Sequence, residues 1–188
     1  MTLHAVQSER LAAVARFAES LRHVSWFAVV GQELSEEERR EARDYLDAIG
    51  FANAQVAPVA DWRGAEAATH DDDWSRAWWD AEEGARAQLL QDAGKMHGQH
   101  ALLTALSRVT LEASDVVLGA ASIAASRSGI ADPALARVAA GAATQAAYQA
   151  ALALAADAGE AHPFAIKFRL FAAGRWPLGL VARTFHLF

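Results

Sequence analysis

The sequence predicts an all-α fold: a single helical domain over residues 1–188, with five or six helices arranged around a long central antiparallel hairpin. Three observations support this prediction. Between Thr104 and Ser126 the polar side chains share one narrow stripe of a helix, and most other positions are apolar or small. Thirteen of the twenty-five residues from 133 to 157 are alanine, the best helix former. Between these segments, Gly129 can end one helix and Asp132-Pro133 can begin the next.

The central hairpin is therefore expected at about residues 97–157. Its first helix is apolar round most of its girth, which is typical of a helix that contacts neighbours on several sides. Its second helix carries mostly methyl side chains, so that another helix axis can come close. The two together predict a tightly packed helical hairpin.

The N-terminal half predicts three further helices. Residues 5–30 carry an apolar face at helical spacing and predict the first of these helices. Residues 26–30 could extend that helix or leave it, and Gly31 is its expected stop. Ser35 to Glu38 form a capping box that should open a helix running to about Ile49. Residues 51–72 read as a long connection with one extended or helical turn. A third helix follows His70–Asp73 and ends before Gly94.

The C-terminal segment 163–188 predicts a short helix and an apolar tail. Phe164, Phe168 and Phe171 have helical spacing, and Gly174 should end that helix. The tail from Arg175 to Phe188 is apolar to its last residue. Because termini fray unless they are docked, we expect the tail to lie against the bundle or against a partner.

Composition and charge narrow the possible functions. The chain has 53% hydrophobic residues, 21% charged residues and no cysteine, so it is globular and has no disulfide, thiol nucleophile or Cys-ligated zinc. Residues 1–160 hold all 23 acidic residues and 13 of the 17 Lys and Arg, a net charge of −10, whereas residues 161–188 carry +4. The acidic body argues against nucleic-acid binding. The N-terminus lacks the layout of a signal peptide, which makes a cytoplasmic protein the expectation. The functional hypothesis below takes it to be a bacterial one.

One group of residues has the chemistry of a divalent metal site. Imidazoles and carboxylates that converge inside a helical bundle bind such ions. The candidate ligands lie along the polar stripe of the central helix and its extension: His97, His100, Glu112 and Asp115. However, no Glu has a His three residues later, as carboxylate-bridged di-metal bundles require. The favoured interpretation is that the stripe is the solvent-facing edge of the helix, with Arg108 paired to Glu112.

Tryptophans mark a second candidate site, since aromatic side chains dominate small-molecule pockets. The four that could wall an apolar ligand pocket are Trp62, Trp74, Trp78 and Trp79, of which Trp79 lies off the common ridge. The alternative is ordinary core packing. The nearby His70–Asp73 cluster, with Glu82 and Glu83, matches no calcium loop. Helix capping explains its aspartates.

No nucleotide-binding, P-loop, zinc-protease or nucleophile-elbow motif is present. The leading hypothesis is a non-enzymatic binding or interaction protein. We expect a homo-oligomer, a dimer, because alanine-rich faces and an apolar tail favour contacts with another copy. The first alternative is a metal-dependent or acid/base bundle enzyme that uses the four stripe residues. The second is a peripheral membrane protein that uses its basic, aromatic tail.

Overall fold

The structure, a computed structural model, describes residues 3–130 and 132–188. Met1, Thr2 and Ala131, which belong to the predicted domain and to the predicted turn, lie outside the described residues. The helices of the N-terminal half are α1 (Leu3–Ser20), a 3₁₀ turn (Leu21–His23), α2 (Glu36–Ala48), α3 (Trp62–Thr69) and α4 (Arg76–His97). Those of the C-terminal half are α5 (Gln99–Arg127), α6 (Pro133–Ala155) and α7 (Pro163–Ala172). The strands are β1 (Gln55–Pro58), β2 (Pro177–Val181) and β3 (Thr184–Leu187).

The prediction of a mainly helical protein is confirmed, but the described residues form seven α-helices and a small sheet, not five or six helices alone. Helices α5 and α6 make the most extensive contact between any two elements. Helix α1 packs on both of them, α4 packs on both from another side, and α7 joins α6 to α2. The main core lies among these helices and is rich in alanine, whereas a second core of larger side chains lies between α2, α7 and the sheet.

Capping residues, proline and glycine predict several helix boundaries correctly. Ser35 caps α2 by accepting from the Glu38 amide while the Glu38 side chain accepts from the Ser35 amide, which confirms the capping box. The Asp132 carboxylate accepts from the Ala134 amide at 2.7 Å ahead of Pro133. Helix α7 ends before Gly174, as predicted. These signals act within one helical turn, so they can be identified from sequence alone.

Three boundaries differ from the prediction. Helix α4 begins at Arg76 with Ser75 as its cap, so the acids of residues 71–73 precede it and are not in its first turn. Helix α1 ends at Ser20 rather than near residue 30, because the chain turns through residues 21–32 and Phe27 adopts a φ of 58°. Gly94, expected to separate the third helix from the hairpin, lies inside α4. The break falls instead at Gly98, whose φ of 75° belongs to the left-handed region that glycine tolerates.

The sheet is the main feature that the sequence analysis missed. The apolar tail folds back as a hairpin, with Ala182 at a φ of 50° in the turn between β2 and β3. The strand order is β1-β3-β2; β3 pairs antiparallel to β2 and parallel to β1, with Val56 opposite Phe185. At the chain end, Trp176 and Phe188 exchange backbone hydrogen bonds of 2.6 and 3.0 Å. The tail therefore lies inside the protein, with Phe185, Leu187 and Phe188 buried.

Gly179 allows the sheet to pack against α4. Its φ is 139°, and a Cβ at this position would lie 2.4 Å from the Trp74 ring and 3.0 Å from the Trp78 ring. We predict that Gly179→Ala lowers the free energy of unfolding by about 1–3 kcal/mol, because the added methyl group overfills this contact. Gly84→Ala is the matched control, since Gly84 is exposed and a Cβ there meets nothing within 4 Å. In the middle of α4 it should stabilise by about 0.5–1 kcal/mol. Urea denaturation measures both values, and equal effects would contradict the prediction.

Candidate functional site

The polar stripe of the central helix faces solvent. Arg108 and Asp115 are exposed, and Glu112 is half-buried at the edge of the stripe. Glu112 accepts from the Arg22 guanidinium at 2.5 and 3.0 Å, and Arg108 donates to Glu19 at 3.0 Å. Both partners belong to the first helical segment, so the expected pairing of Arg108 with Glu112 is replaced by ion pairs between elements. The stripe thus ties α5 to residues 19–22 along its exposed edge.

The four candidate metal ligands do not form a ligand cluster. His97 belongs to α4, and the turn at Gly98 removes it from the line of the α5 stripe. Its Nε2 lies 2.8 Å from the carbonyl oxygen of Ala155, whereas His100 and Asp115 are exposed. Glu112 is engaged by Arg22. Within residues 3–130 and 132–188, no group of three or more His, Asp or Glu side chains is placed to hold a metal ion.

The structure brings together three of the four candidate pocket tryptophans. Trp62 is apart from the others, buried in the main core with its ring 5.3 Å from Phe188 and 5.8 Å from Trp176. Trp74, Trp78 and Trp79 line one small pocket of about 140 Å³ beside α6, and Trp79 is 54% exposed at its edge. The pocket is too small for a drug-sized ligand, whose sites usually enclose about 300–1,000 Å³.

A buried polar network lies at this pocket. Lys167 of α7 donates to both carboxylate oxygens of Glu82 on α4, at 2.6 and 2.9 Å. The Tyr45 hydroxyl of α2 donates to the same carboxylate at 2.6 Å and accepts from the Trp78 indole at 2.8 Å. The ammonium group also lies 5.4 Å from the centre of the Trp78 ring. One cluster thereby joins three helices.

The electrostatics of this network favour a fixed arrangement rather than proton transfer. Burial, and then the charge of Glu82, raise the pKa of Tyr45 well above its usual value. The phenol therefore stays protonated and acts as a hydrogen-bond donor. Both oxygens of Glu82 accept hydrogen bonds, and its charge is balanced by Lys167. The network thus satisfies its own charges and orients Trp78 at the pocket wall.

By their positions in the sequence, the two charged members of this network belong to other groups: Glu82 to the acidic cluster with residues 70–73, and Lys167 to the basic segment 161–188. One signal could have found Glu82: it lies four residues after Trp78, and with Ala85 and Leu89 it follows the buried spacing of α4. A charged residue at such a position needs a buried partner. The identity of that partner, 85 positions along the chain, has no local signal.

Helix α5 presents an apolar outer face to solvent. Leu103, Leu111 and Leu118 are 44, 67 and 45% exposed, respectively. Among the described residues α5 is also the one helix long and apolar enough to cross a membrane, although core helices of soluble proteins meet the same criterion. Only 28% of its most apolar window is buried. The helix contacts α1, α4 and α6, as expected for a helix with neighbours on several sides, but its outer face is uncovered among the described residues.

A groove of about 610 Å³ runs beside this outer face, between α5 and α6. Leu118 and Ser114 line it on the α5 side, and Gly141 leaves space on the α6 side. Arg86 and Arg137 also line the groove, and Arg86 pairs with Glu83. The groove and the outer face form one continuous surface through Leu118.

No protein-family model, curated protein or solved structure significantly matches the chain. Function must therefore be inferred from the surfaces and side chains described above.

Removing one member of the buried ion pair should be costly. We predict that Lys167→Met lowers the free energy of unfolding by about 3–5 kcal/mol, because Glu82 would stay buried without its counter-charge. Adding Glu82→Gln should recover part of that loss. Lys95→Met is the control; its ion pair with Asp92 is exposed, and its loss should change stability by less than about 1 kcal/mol. Denaturant unfolding of the wild type and these three variants measures the effects, and equal effects of the two lysine changes would contradict the prediction.

The phenol of Tyr45 provides a pH test. In a Tyr148→Phe variant Tyr45 is the only tyrosine, so tyrosinate absorbance reports it alone. Because its folded pKa is raised, its contribution to stability is complete below the unfolded pKa of about 10 and is lost as pH rises above that value. We expect no tyrosinate signal near pH 10 while circular dichroism remains native. Ionisation near pH 10 in the folded protein would contradict this prediction.

Proposed function

We propose that the protein is a non-enzymatic interaction protein that works as a homodimer formed through the outer face of α5. The observation that carries the proposal is the row of exposed leucines on this long helix. The leucines share one face of α5, and exposed apolar surface with polar residues around it marks interaction sites. A cytoplasmic location belongs to the same proposal.

The surface proposed here differs from those that the sequence suggested. Self-association was expected from the alanine-rich helix and from the apolar tail. Most alanines of α6 are buried within the chain, and the tail is buried as β2 and β3. Neither is available to a partner. The exposed side chains of α5 supply the alternative, because they are large and uncovered.

The outer face is suited to pairing with its own copy. Along it large and small residues alternate, in the order Leu103, Ser107, Leu111, Ser114, Leu118 and Ser122. A two-fold axis brings the same surface of both copies together. If two α5 helices run antiparallel about Leu111, Arg108 of one copy comes close to Asp115 of the other. Leu103 then lies near Leu118 of the other copy, and Leu111 lies near its own counterpart. The charges would be complementary, and the leucines of the two copies would pack together.

The groove beside α5 would complete the contact. Its volume of about 610 Å³ and the open space at Gly141 can receive apolar side chains from a second copy. Knobs from one helix that enter holes on another are the usual packing of paired helices. The groove is then part of the interface and needs no separate ligand.

The two alternatives have less support. A metal-dependent enzyme needs converging ligands. Among the four candidates, His97 and Glu112 are hydrogen-bonded to other groups, and His100 and Asp115 are exposed. The membrane hypothesis relied on the tail, whose apolar side chains are buried. Insertion of α5 itself would place Arg108 and Asp115 against lipid, which is costly for charged groups.

Sedimentation velocity tests the proposed dimer. We expect the wild-type protein to sediment as a dimer and Leu111→Glu as a monomer with unchanged circular dichroism, since Leu111 is 67% exposed. Arg108→Asp should weaken the dimer, and adding Asp115→Arg should restore it by exchanging the two charges. A wild-type monomer, or a Leu111→Glu dimer, would contradict the proposal.

A matched control separates this surface from apolar exposure in general. Leu154 of α6 is 40% exposed but lies away from the outer face of α5. Leu154→Glu should therefore leave the dimer intact. Dissociation by both leucine variants would show that the contact is not confined to α5.

A further inference from the structure

A second large groove lies on the opposite side of α6. It has a volume of about 900 Å³ and is bounded by α1, α2, α6 and α7. Ala150 and Leu154 of α6 line it, whereas Gly141 lines the groove beside α5. Nine residues at 100° each place Ala150 half a turn from Gly141. The two grooves therefore face different directions, and this one is outside the proposed dimer contact.

The floor of this groove is apolar. Leu154 is 40% exposed there, and the rings of Phe17 and Phe168 are only partly buried. The two rings meet edge to face at 4.9 Å, which fixes the shape of the floor. The remaining floor consists mainly of alanines, whose small side chains leave the groove open. Covering such a surface with an apolar side chain is favourable, because it removes apolar area from water.

The rim of the groove is strongly acidic. Its carboxylates are Asp44, Asp47, Asp157 and Glu160. Asp157 is paired with Arg10, but among the described side chains no ion pair or side-chain hydrogen bond engages the other three. The single cation of the lining, Arg169, pairs with Glu41 and donates to the Glu160 carbonyl at 2.9 Å. The groove thus has three uncompensated negative charges around an apolar floor.

We infer that this groove docks a basic amphipathic helix of a partner protein. Apolar side chains on one face of such a helix would cover Leu154, Phe17 and Phe168, and lysines or arginines at its edges would meet the rim carboxylates. The α7 part of the floor, residues 165–169, extends about 6 Å, so about one turn of the bound helix packs against it. Helix-in-groove binding uses this combination of an apolar face and complementary charge.

Binding of a synthetic peptide tests the inference. The probe is a fluorescent helical peptide of about 14 residues, with leucines on one face and lysines on the other. We expect it to bind the wild-type protein, and Asp44→Lys with Asp47→Lys to weaken binding by at least about tenfold. Leu154→Asn should weaken it by a similar factor. Both aspartates are exposed, and lysines near the C-terminus of α2 suit the helix dipole, so the variant should fold.

Matched controls separate this site from general attraction between opposite charges. Glu66→Lys with Asp72→Lys makes the same change in net charge at exposed positions outside the groove, and should leave affinity unchanged within about twofold. A scrambled peptide of equal composition, with leucines all round the helix, should bind more weakly. Equal loss in both charge variants, equal binding of the scrambled peptide, or no binding to wild type would overturn the inference.

Two further measurements distinguish this groove from the proposed dimer contact. Leu111→Glu, which removes the α5 contact, should keep peptide binding; loss of binding would place the peptide on α5 and overturn the inference. Sedimentation of the Asp44→Lys, Asp47→Lys variant should match that of wild type. A change in its mass would mean that the groove holds a second copy of the chain, which would also overturn the inference.

Discussion

The guanidinium of Arg175 links the C-terminal segment to residues 29–38. It is 3% exposed, and all five of its N–H donors can be accounted for. Its acceptors are both carboxylate oxygens of Glu38, at 2.6 and 3.0 Å, and the carbonyls of Val29, Gln32 and Glu33, at 2.7 to 2.8 Å. A buried guanidinium with fewer partners would be severely destabilising. Burial acts to raise the pKa of Glu38, but hydrogen bonds from Arg175 and Ser35 outweigh it and lower that pKa. The helix cap, the turn before it and the final hairpin thus depend on one side chain.

Ion pairs within the protein also explain the uneven charge of the sequence. The basic C-terminal segment looked suited to a membrane or a partner, yet three of its four cations pair with acids of the chain itself: Lys167 with Glu82, Arg169 with Glu41 and Arg175 with Glu38. Two of these acids lie on α2 and one on α4. The segment with +4 is therefore neutralised largely within the fold, whereas the protein as a whole keeps a net charge of −6. The rim of the groove between α2 and α7 carries part of that negative charge.

Prediction from sequence succeeded where the signal and its effect lie within one helical turn. The capping box at Ser35, the Asp132-Pro133 start and the phenylalanine spacing in α7 are of this kind. The sheet depends on pairing Val56 with Phe185, which no local pattern encodes, although the alternation from Thr184 to Leu187 favours a strand. The candidate sites show the same limit. Three tryptophans share a pocket because residues 74–79 lie together around the start of α4, whereas the partner of Glu82 comes from a distant segment.

The uncovered face of α5 and the acidic groove have a joint consequence. If α5 pairs with its own copy, the groove at Ala150 and Leu154 stays open, because it faces away from the contact. Each dimer then presents two acidic grooves. A partner that is itself dimeric, or that carries two basic helices, could occupy both at once. The second contact would form at high effective concentration, so modest affinity at each groove would give much tighter binding overall. Self-association through α5 would thereby make a weak groove selective for bivalent partners.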